Sequence, residues 1–280
     1  MKIDLHIHTT ASDGRLSPAE VVARAAELEV NTIAITDHDS VEGIQMALDE
    51  ARKFPGLLVI PGVEMGADVP DGEMHILGYF VDHRSAELGE ALKTLRDSRS
   101  NRGQAMVSRL DDVGIRLDWE HVADIANGAS IGRPHIAQAL LESGHVSSII
   151  EAFDKYIGDG GPAFVERKKL GPAETVDLIT RTGGLAVLAH PARTRDLDST
   201  ISELKKAGLI GMEVFYKDYD QQTVGRLLKV ARRHNLIPCG GSDYHGFETD
   251  GTQIGQHNVP RKTVDQLIAL KKTRGVLKTP

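Results

Sequence analysis

Short apolar runs recur along the chain, and each ends in polar residues. Residues 2–8 read KIDLHIH, 32–38 TIAITDH and 57–64 LLVIPGVE, followed after a turn by HILGYF from His75. Later come GLAVLAHP (184–191), GMEVFY (211–216) and LIPCGGSDYH (236–245). Runs this short, with little alternation, predict strands buried on both faces, as in a parallel sheet. Helical patterns lie between them. Ser17-Pro18-Ala19-Glu20 combines a serine cap, a proline at the first helical position and a glutamate at the third. It predicts a helix to about Glu29 with Val21, Val22, Ala25 and Leu28 on one face. Asp39-Ser40-Val41-Glu42 predicts a second cap, before a helix ending near Phe54 ahead of Pro55-Gly56. Further helices are predicted over 171–181, 200–207, 219–235 and 263–273. Strand alternating with helix predicts right-handed β/α units.

Residues 85–169 break this rhythm, reading as helix or loop with few strand candidates. Their first long helix carries Arg96, Arg99, Arg102 and Arg109, and GDGGP (158–162) reads as a loop. The predicted organisation is a barrel formed by residues 1–84 and 170–280, with a mostly helical insertion at 85–169.

Composition narrows the functional classes. The 280 residues carry 33 basic and 40 acidic side chains, a net charge of −7, which argues against a surface for duplex nucleic acid. A small phosphorylated substrate stays open, because bound divalent ions reverse the local sign of an acidic cleft. No apolar run reaches the roughly 18 residues of a membrane span, and no basic-then-apolar leader is seen. The one cysteine, Cys239, excludes an internal disulfide and a thiolate-rich metal site. A reduced, cytoplasmic setting is expected, with Cys239 a small buried hydrophobe. Nothing in the sequence marks an oligomeric state.

Twelve histidines equal the number of aromatic residues, and most of those in the motifs sit where strands end. His6 and His8, two apart on a strand, face the same side. Asp13 lies in the polar turn TTASDG, where a turn or cap role would also suit it. Capping accounts for Asp39 but not for His38. Glu64 closes an apolar run, His75 opens the next, His190 precedes Pro191, and Asp243 and His245 repeat the spacing of two. Separate surface or capping roles could explain one or two of these nine residues. A shared metal centre at the converging strand ends explains His6, His8, Asp13, His38, Glu64, His75, His190, Asp243 and His245 together. Imidazole and carboxylate without thiolate suit manganese, zinc or iron(II). Nine ligands exceed one ion's needs and suit three ions with a bridging carboxylate, a device for phosphoester hydrolysis.

DLHIHTTASDG, ITDHD, PGVEM, the AHP of VLAHP and GSDYH together resemble the polymerase-and-histidinol-phosphatase (PHP) family of metal-dependent phosphoesterases, from Met1 to about Phe247. The resemblance implies a distorted (β/α)7 barrel with a trinuclear centre, manganese foremost. It implies His6, His8, Glu64 and Asp243 at the first ion. Glu64 would bridge to a second with His75 and His190, while Asp13, His38 and His245 hold the third. Water activated by the ions would attack phosphorus. IGRPH (131–135) and FDKYIGDGGPAFV (153–165) resemble the stand-alone phosphatases of nucleoside 3′,5′-bisphosphates, some of which trim short RNA from its 5′ end. The implied activity is removal of the 3′-phosphate from a pAp-like nucleotide. Rivals are a 5′-to-3′ exoribonuclease on short RNA, a histidinol phosphatase and a non-catalytic metal-binding accessory module. Arg133 is expected on a substrate phosphate, and His135 as a phosphate ligand or general acid, although Pro134 would also simply start a helix. Arg99 and Arg102, three apart on a helix, could face the cleft or water. Lys168 and Lys169 read as surface residues.

Overall fold

The computed structural model describes residues 1–69, 72–126, 131–166, 170–247 and 251–274. Lys168 and Lys169, and the turn after Val69, lie outside them. Seven strands form one mixed sheet in sequence order: β1 (Lys2–Asp4), β2 (Val30–Ile35), β3 (Leu58–Val69), β4 (Gly72–Tyr79), β5 (Leu185–Leu188), β6 (Gly211–Tyr216) and β7 (Ile237–Gly241). β1 and β7 draw together through Leu5 N–H to Gly240 O (3.2 Å) and His8 N–H to Tyr244 O (2.9 Å). The sheet is thereby nearly closed into a barrel. Asp4 reinforces the seam, accepting from Ser242 N at 2.9 Å and Gly255 N at 2.8 Å. Gly241 permits it, since a Cβ there would lie 2.4 Å from His6 N.

The expected run of parallel β/α units is interrupted. β4 pairs antiparallel with both β3 and β5, whereas β1–β3 and β5–β7 pair in parallel. The turn between β3 and β4 is too short for the crossover that parallel pairing needs. β3 also runs five residues past Glu64, so that residue lies within a strand rather than at its end.

Capping chemistry sets the helix starts. α1 (Pro18–Glu27) begins with Ser17 and Glu20 in a reciprocal capping box and buries Val21, Val22 and Ala25. α2 (Ile44–Ala51) starts later than predicted, with Gly43 and not Asp39 as its cap. Asp39 instead pairs with Arg99. α7 (Pro172–Arg181), α8 (Leu197–Ala207), α9 (Gln221–Arg233) and α10 (Arg261–Thr273) cover the later strands. Ile3, Leu5, Leu77, Leu185, Val187 and Cys239 share one apolar cluster with Val264 and Leu267 of α10.

Between β4 and α7 lie α3 (Ala86–Asp112), α4 (Trp119–Ala126), α5 (Arg133–Glu142), α6 (Ile149–Ala152) and a π-helical turn, Phe153–Ile157. They have a core of their own, built on Met106, Leu110, Val122, Ile136, Leu140 and Ile157. Arg99 and Arg102 are both buried in α3, Arg99 against the barrel residue Asp39, so water is not their environment.

Candidate metal centre

His6 and His8 lie just beyond the regular part of β1. Ile7 between them bridges to Tyr244, its side chain fully buried, which keeps the backbone extended and turns both imidazoles to one side. Their Nε2 atoms stand 3.1 Å apart. Glu64 Oε2 lies 3.0 Å from His6 Nε2 and 3.1 Å from His8 Nε2. Asp243 Oδ1 lies at 3.3 Å and 3.1 Å from the same two atoms. Donors bound at about 2.1 Å to one divalent ion stand roughly 3.0–3.4 Å apart. The four atoms therefore already have the spacing of a coordination shell.

Glu64 turns its other oxygen the opposite way. Oε1 lies 2.8 Å from His75 Nδ1 and 3.2 Å from His190 Nε2. Although so close, His75 Nδ1 is buried and makes no hydrogen bond. His38 Nδ1 and His8 Nδ1 are likewise buried without hydrogen-bond partners. Buried nitrogens in this state are costly unless something else satisfies them. A divalent cation would.

A third cluster forms around Asp13. Its Oδ1 lies 3.4 Å from His245 Nε2 and 3.6 Å from His8 Nδ1, and its Oδ2 lies 3.9 Å from His38 Nε2. Gly14 makes the turn possible, since a Cβ there would meet His8 O at 2.5 Å. Three sets of donor atoms converge closely enough to share an ion: His6, His8, Glu64 and Asp243; His8, Asp13, His38 and His245; and His38, Glu64 and His75. All nine predicted residues come together, with His190 approaching through Glu64 but outside these sets. His75 arrives by an unexpected route: it sits early in β4 and reaches the same barrel end because that strand runs backwards.

Residues that the sequence reading passed over orient these donors. Glu213, fully buried in β6, accepts from His6 Nδ1 at 3.1 Å and from His190 N at 2.8 Å. Such a carboxylate fixes the tautomer that points Nε2 inward. Asp243 O accepts from His245 Nδ1 at 2.9 Å, with the same effect. Asp37 accepts from Thr9 N, Thr9 Oγ1 and Ser12 Oγ, pinning the loop that carries Asp13. Tyr216 O–H donates to Asp243 Oδ2 at 2.8 Å, leaving Oδ1 to the donor set. Asp243 (φ 51°) and His190 (φ 27°) hold positive backbone angles, strain of the kind that clusters at functional sites. A buried Glu after GM is the one signal that could have marked Glu213.

The electrostatics follow. Burial works against the charged form of His8 and His75, yet the neighbouring carboxylates of Asp243, Glu64 and Glu73 push both up to about 10. His38, where burial outweighs Glu64 and Asp13, is pushed down to about 3. Glu64 and Asp243 are held well below the carboxylate range by the imidazoles around them, despite burial.

Arg99 links the insertion to the barrel, whereas Arg133 pairs within the insertion. Arg99 Nε donates to Asp39 Oδ2 at 2.6 Å, while its Nη2 is buried without a hydrogen bond. Arg133 Nη1 donates to Asp159 Oδ1 at 2.7 Å, and its guanidinium lies over Phe153 and Phe164. His135, at the start of α5, accepts from Gly132 N through Nδ1 at 2.9 Å, so its neutral form carries the proton on Nε2. Burial lowers its pKa; Asp13 pulls upward while Arg99 and Arg15 push down. Among the described residues, no helix is long and apolar enough to cross a membrane.

Known proteins resemble this chain over most of its length. Residues 4–160 match the PHP domain. A 5′-3′ exoribonuclease of Salmonella typhimurium is 35% identical, with 86% of this chain and 84% of that protein aligned. A 3′,5′-nucleoside bisphosphate phosphatase of Chromobacterium violaceum is 32% identical, with 90% of each covered. A crystal structure from Bifidobacterium adolescentis, assigned to the metal-dependent phosphoesterases, superimposes with a TM-score of 0.88 at 29% identity, covering 99% of this chain and 97% of that one.

Proposed function

Starting from the fact that this chain belongs to the PHP family and is a metal-dependent phosphoesterase, we propose that it removes the 3′-phosphate from nucleoside 3′,5′-bisphosphates, giving the 5′-monophosphate. The observation that carries this reading is Arg99, an insertion residue buried against the barrel beside Asp39 with its Nη2 making no hydrogen bond. A single phosphate needs only the metal ions, whereas Arg99, Arg102 and Arg133 on the insertion offer charge, and His135 a hydrogen-bond donor, for a more highly phosphorylated ligand.

His6, His8, Glu64 and Asp243 would hold one ion, Glu64 with His75 and His190 a second, and Asp13, His38 and His245 a third. When bound, divalent ions, with manganese the first choice, supply a nucleophile at neutral pH and neutralise charge building on the phosphoryl oxygens. The protein's own groups do the rest. Arg99 Nη2 points a buried donor with no hydrogen-bond acceptor of its own, and a phosphate oxygen would supply one. Neutral His135 offers Nε2–H to the same phosphate or to the departing oxygen. Arg133, held over two phenyl rings, exchanges Asp159 for phosphate. Residues 85–169 thus act as one unit that grips substrate over the barrel mouth. The setting is the cytoplasm, with a small nucleotide or short oligonucleotide as partner.

The exoribonuclease reading is the second one, favoured by the Salmonella typhimurium relative. Product analysis with manganese supplied separates the two. Faster release of inorganic phosphate from pAp than of mononucleotide from a 5′-phosphorylated trinucleotide supports the phosphatase, and the reverse order replaces it.

A further inference from the structure

The arginines near the centre are engaged, with one exception. Arg99 holds Asp39, Arg133 holds Asp159, and Arg96 holds Glu42. Arg15 is exposed and forms no ion pair or side-chain hydrogen bond among the described residues. Its one side-chain contact of note is with Phe247, over whose ring the guanidinium sits 4.8 Å from the centroid.

That placement is built. Arg15 N donates to His245 O at 2.8 Å, tying its backbone to the loop that carries Phe247. Phe247 stacks in turn on His245 at 6.3 Å, and His245 on His8 at 4.2 Å. A column of rings therefore runs from the donor cluster outward and ends under a guanidinium without a counter-ion. Arg15 follows Asp13 by two residues, so it belongs to the barrel rather than to the insertion. Its charge reaches His135. An arginine stacked on an aromatic ring keeps its planar donor edge free for a phosphate and loses little side-chain freedom when one binds.

We propose that Arg15, carried on Phe247, binds a phosphate of the substrate other than the one being hydrolysed, and so selects doubly phosphorylated nucleotides over monophosphates. This rests on the phosphoesterase reading above but not on which nucleotide substrate is correct. A phosphate one ribose away from the reacting one, or the next phosphate of a short RNA, would present the same chemistry.

The test compares kcat/KM for pAp, for a 5′-phosphorylated trinucleotide and for p-nitrophenyl phosphate, in the manganese-loaded wild type and in Arg15→Ala and Arg15→Lys. The wild type is expected to prefer one of the two nucleotides over p-nitrophenyl phosphate. Arg15→Ala should cut that preference at least tenfold, chiefly through KM, with less than a twofold change on p-nitrophenyl phosphate. Arg15→Lys should recover part of it, because charge returns without the planar fork. A preference for the trinucleotide overturns the phosphatase reading alone, and the Arg15 effect is then read on that substrate. No preference in the wild type, an unchanged ratio in Arg15→Ala, or an equal loss on all three substrates overturns the inference.

Discussion

Glu213 shows how much one side chain outside the donor sets controls. Its two oxygens accept from His6 and from the backbone of His190, so it orients two donors that lie on different strands. Glu213→Gln keeps the volume but weakens the acceptor that fixes the His6 tautomer. Losing an outer partner of this kind typically costs about 10- to 100-fold in metal affinity. Calorimetric titration of manganese into the variant should show that loss with an unchanged melting temperature of the metal-free protein. Asp13→Ala and His38→Ala act more directly. Each should abolish turnover while circular dichroism and thermal unfolding stay close to wild type; full activity in either would remove the Asp13 cluster from the chemistry. The imidazoles also set a pH dependence. In the metal-free protein His8 and His75 keep their protons up to about 10, whereas a metal ligand must be deprotonated. Uptake therefore releases protons at neutral pH, and affinity should rise as pH climbs toward 10. Titrations in buffers of different ionisation enthalpy measure that release directly.

At the scale of elements, the candidate ligands other than Asp13 were legible because they lie at the ends of apolar runs, where loops of a β/α barrel gather. The direction of β4 was not legible. HILGYF looks the same whichever way it runs, and only the length of its connection to β3 decides. His75 was identified although a parallel direction was expected of its strand. Glu213 was missed for the opposite reason: within GMEVFY it reads as a lone polar residue in a buried strand, and its partners lie 207 and 23 residues away. Asp39 was read as a helix cap because capping is a local pattern, while its true partner, Arg99, lies 60 residues on, in α3. That pair ties the insertion to the barrel, and both side chains are buried. Removing one member of a buried pair strands the other and costs about 3–5 kcal/mol. Asp39→Ala should therefore lower the unfolding free energy read from denaturant titration by an amount of that order. A loss below about 1 kcal/mol would mean that α3 is held by its apolar contacts alone.

For the whole molecule, the donor cluster and the barrel seam are one problem. His6 and His8 follow β1, Asp243 and His245 follow β7, and the seam between those strands brings the two ends of the chain together. The desolvation of buried carboxylates and imidazoles opposes closure, and Gly241 and Asp4 favour it. Divalent ions would favour it further, since they bind the closed arrangement and not the unfolded chain. Such linkage adds about 2.7 kcal/mol when the free ion stands at 100 times its dissociation constant. For a chain of 280 residues, each kcal/mol moves the melting temperature by roughly 2–4 °C. Chelation should then lower it by about 5–10 °C, and manganese should restore it. Gly241→Ala tests the same coupling from the backbone side: its Cβ would lie 2.4 Å from His6 N, so His6 must move. The variant should lose stability even when metal-free and should recover less on adding manganese than wild type does. A full recovery would show that seam and centre are independent, and that proximity in the fold is not coupling.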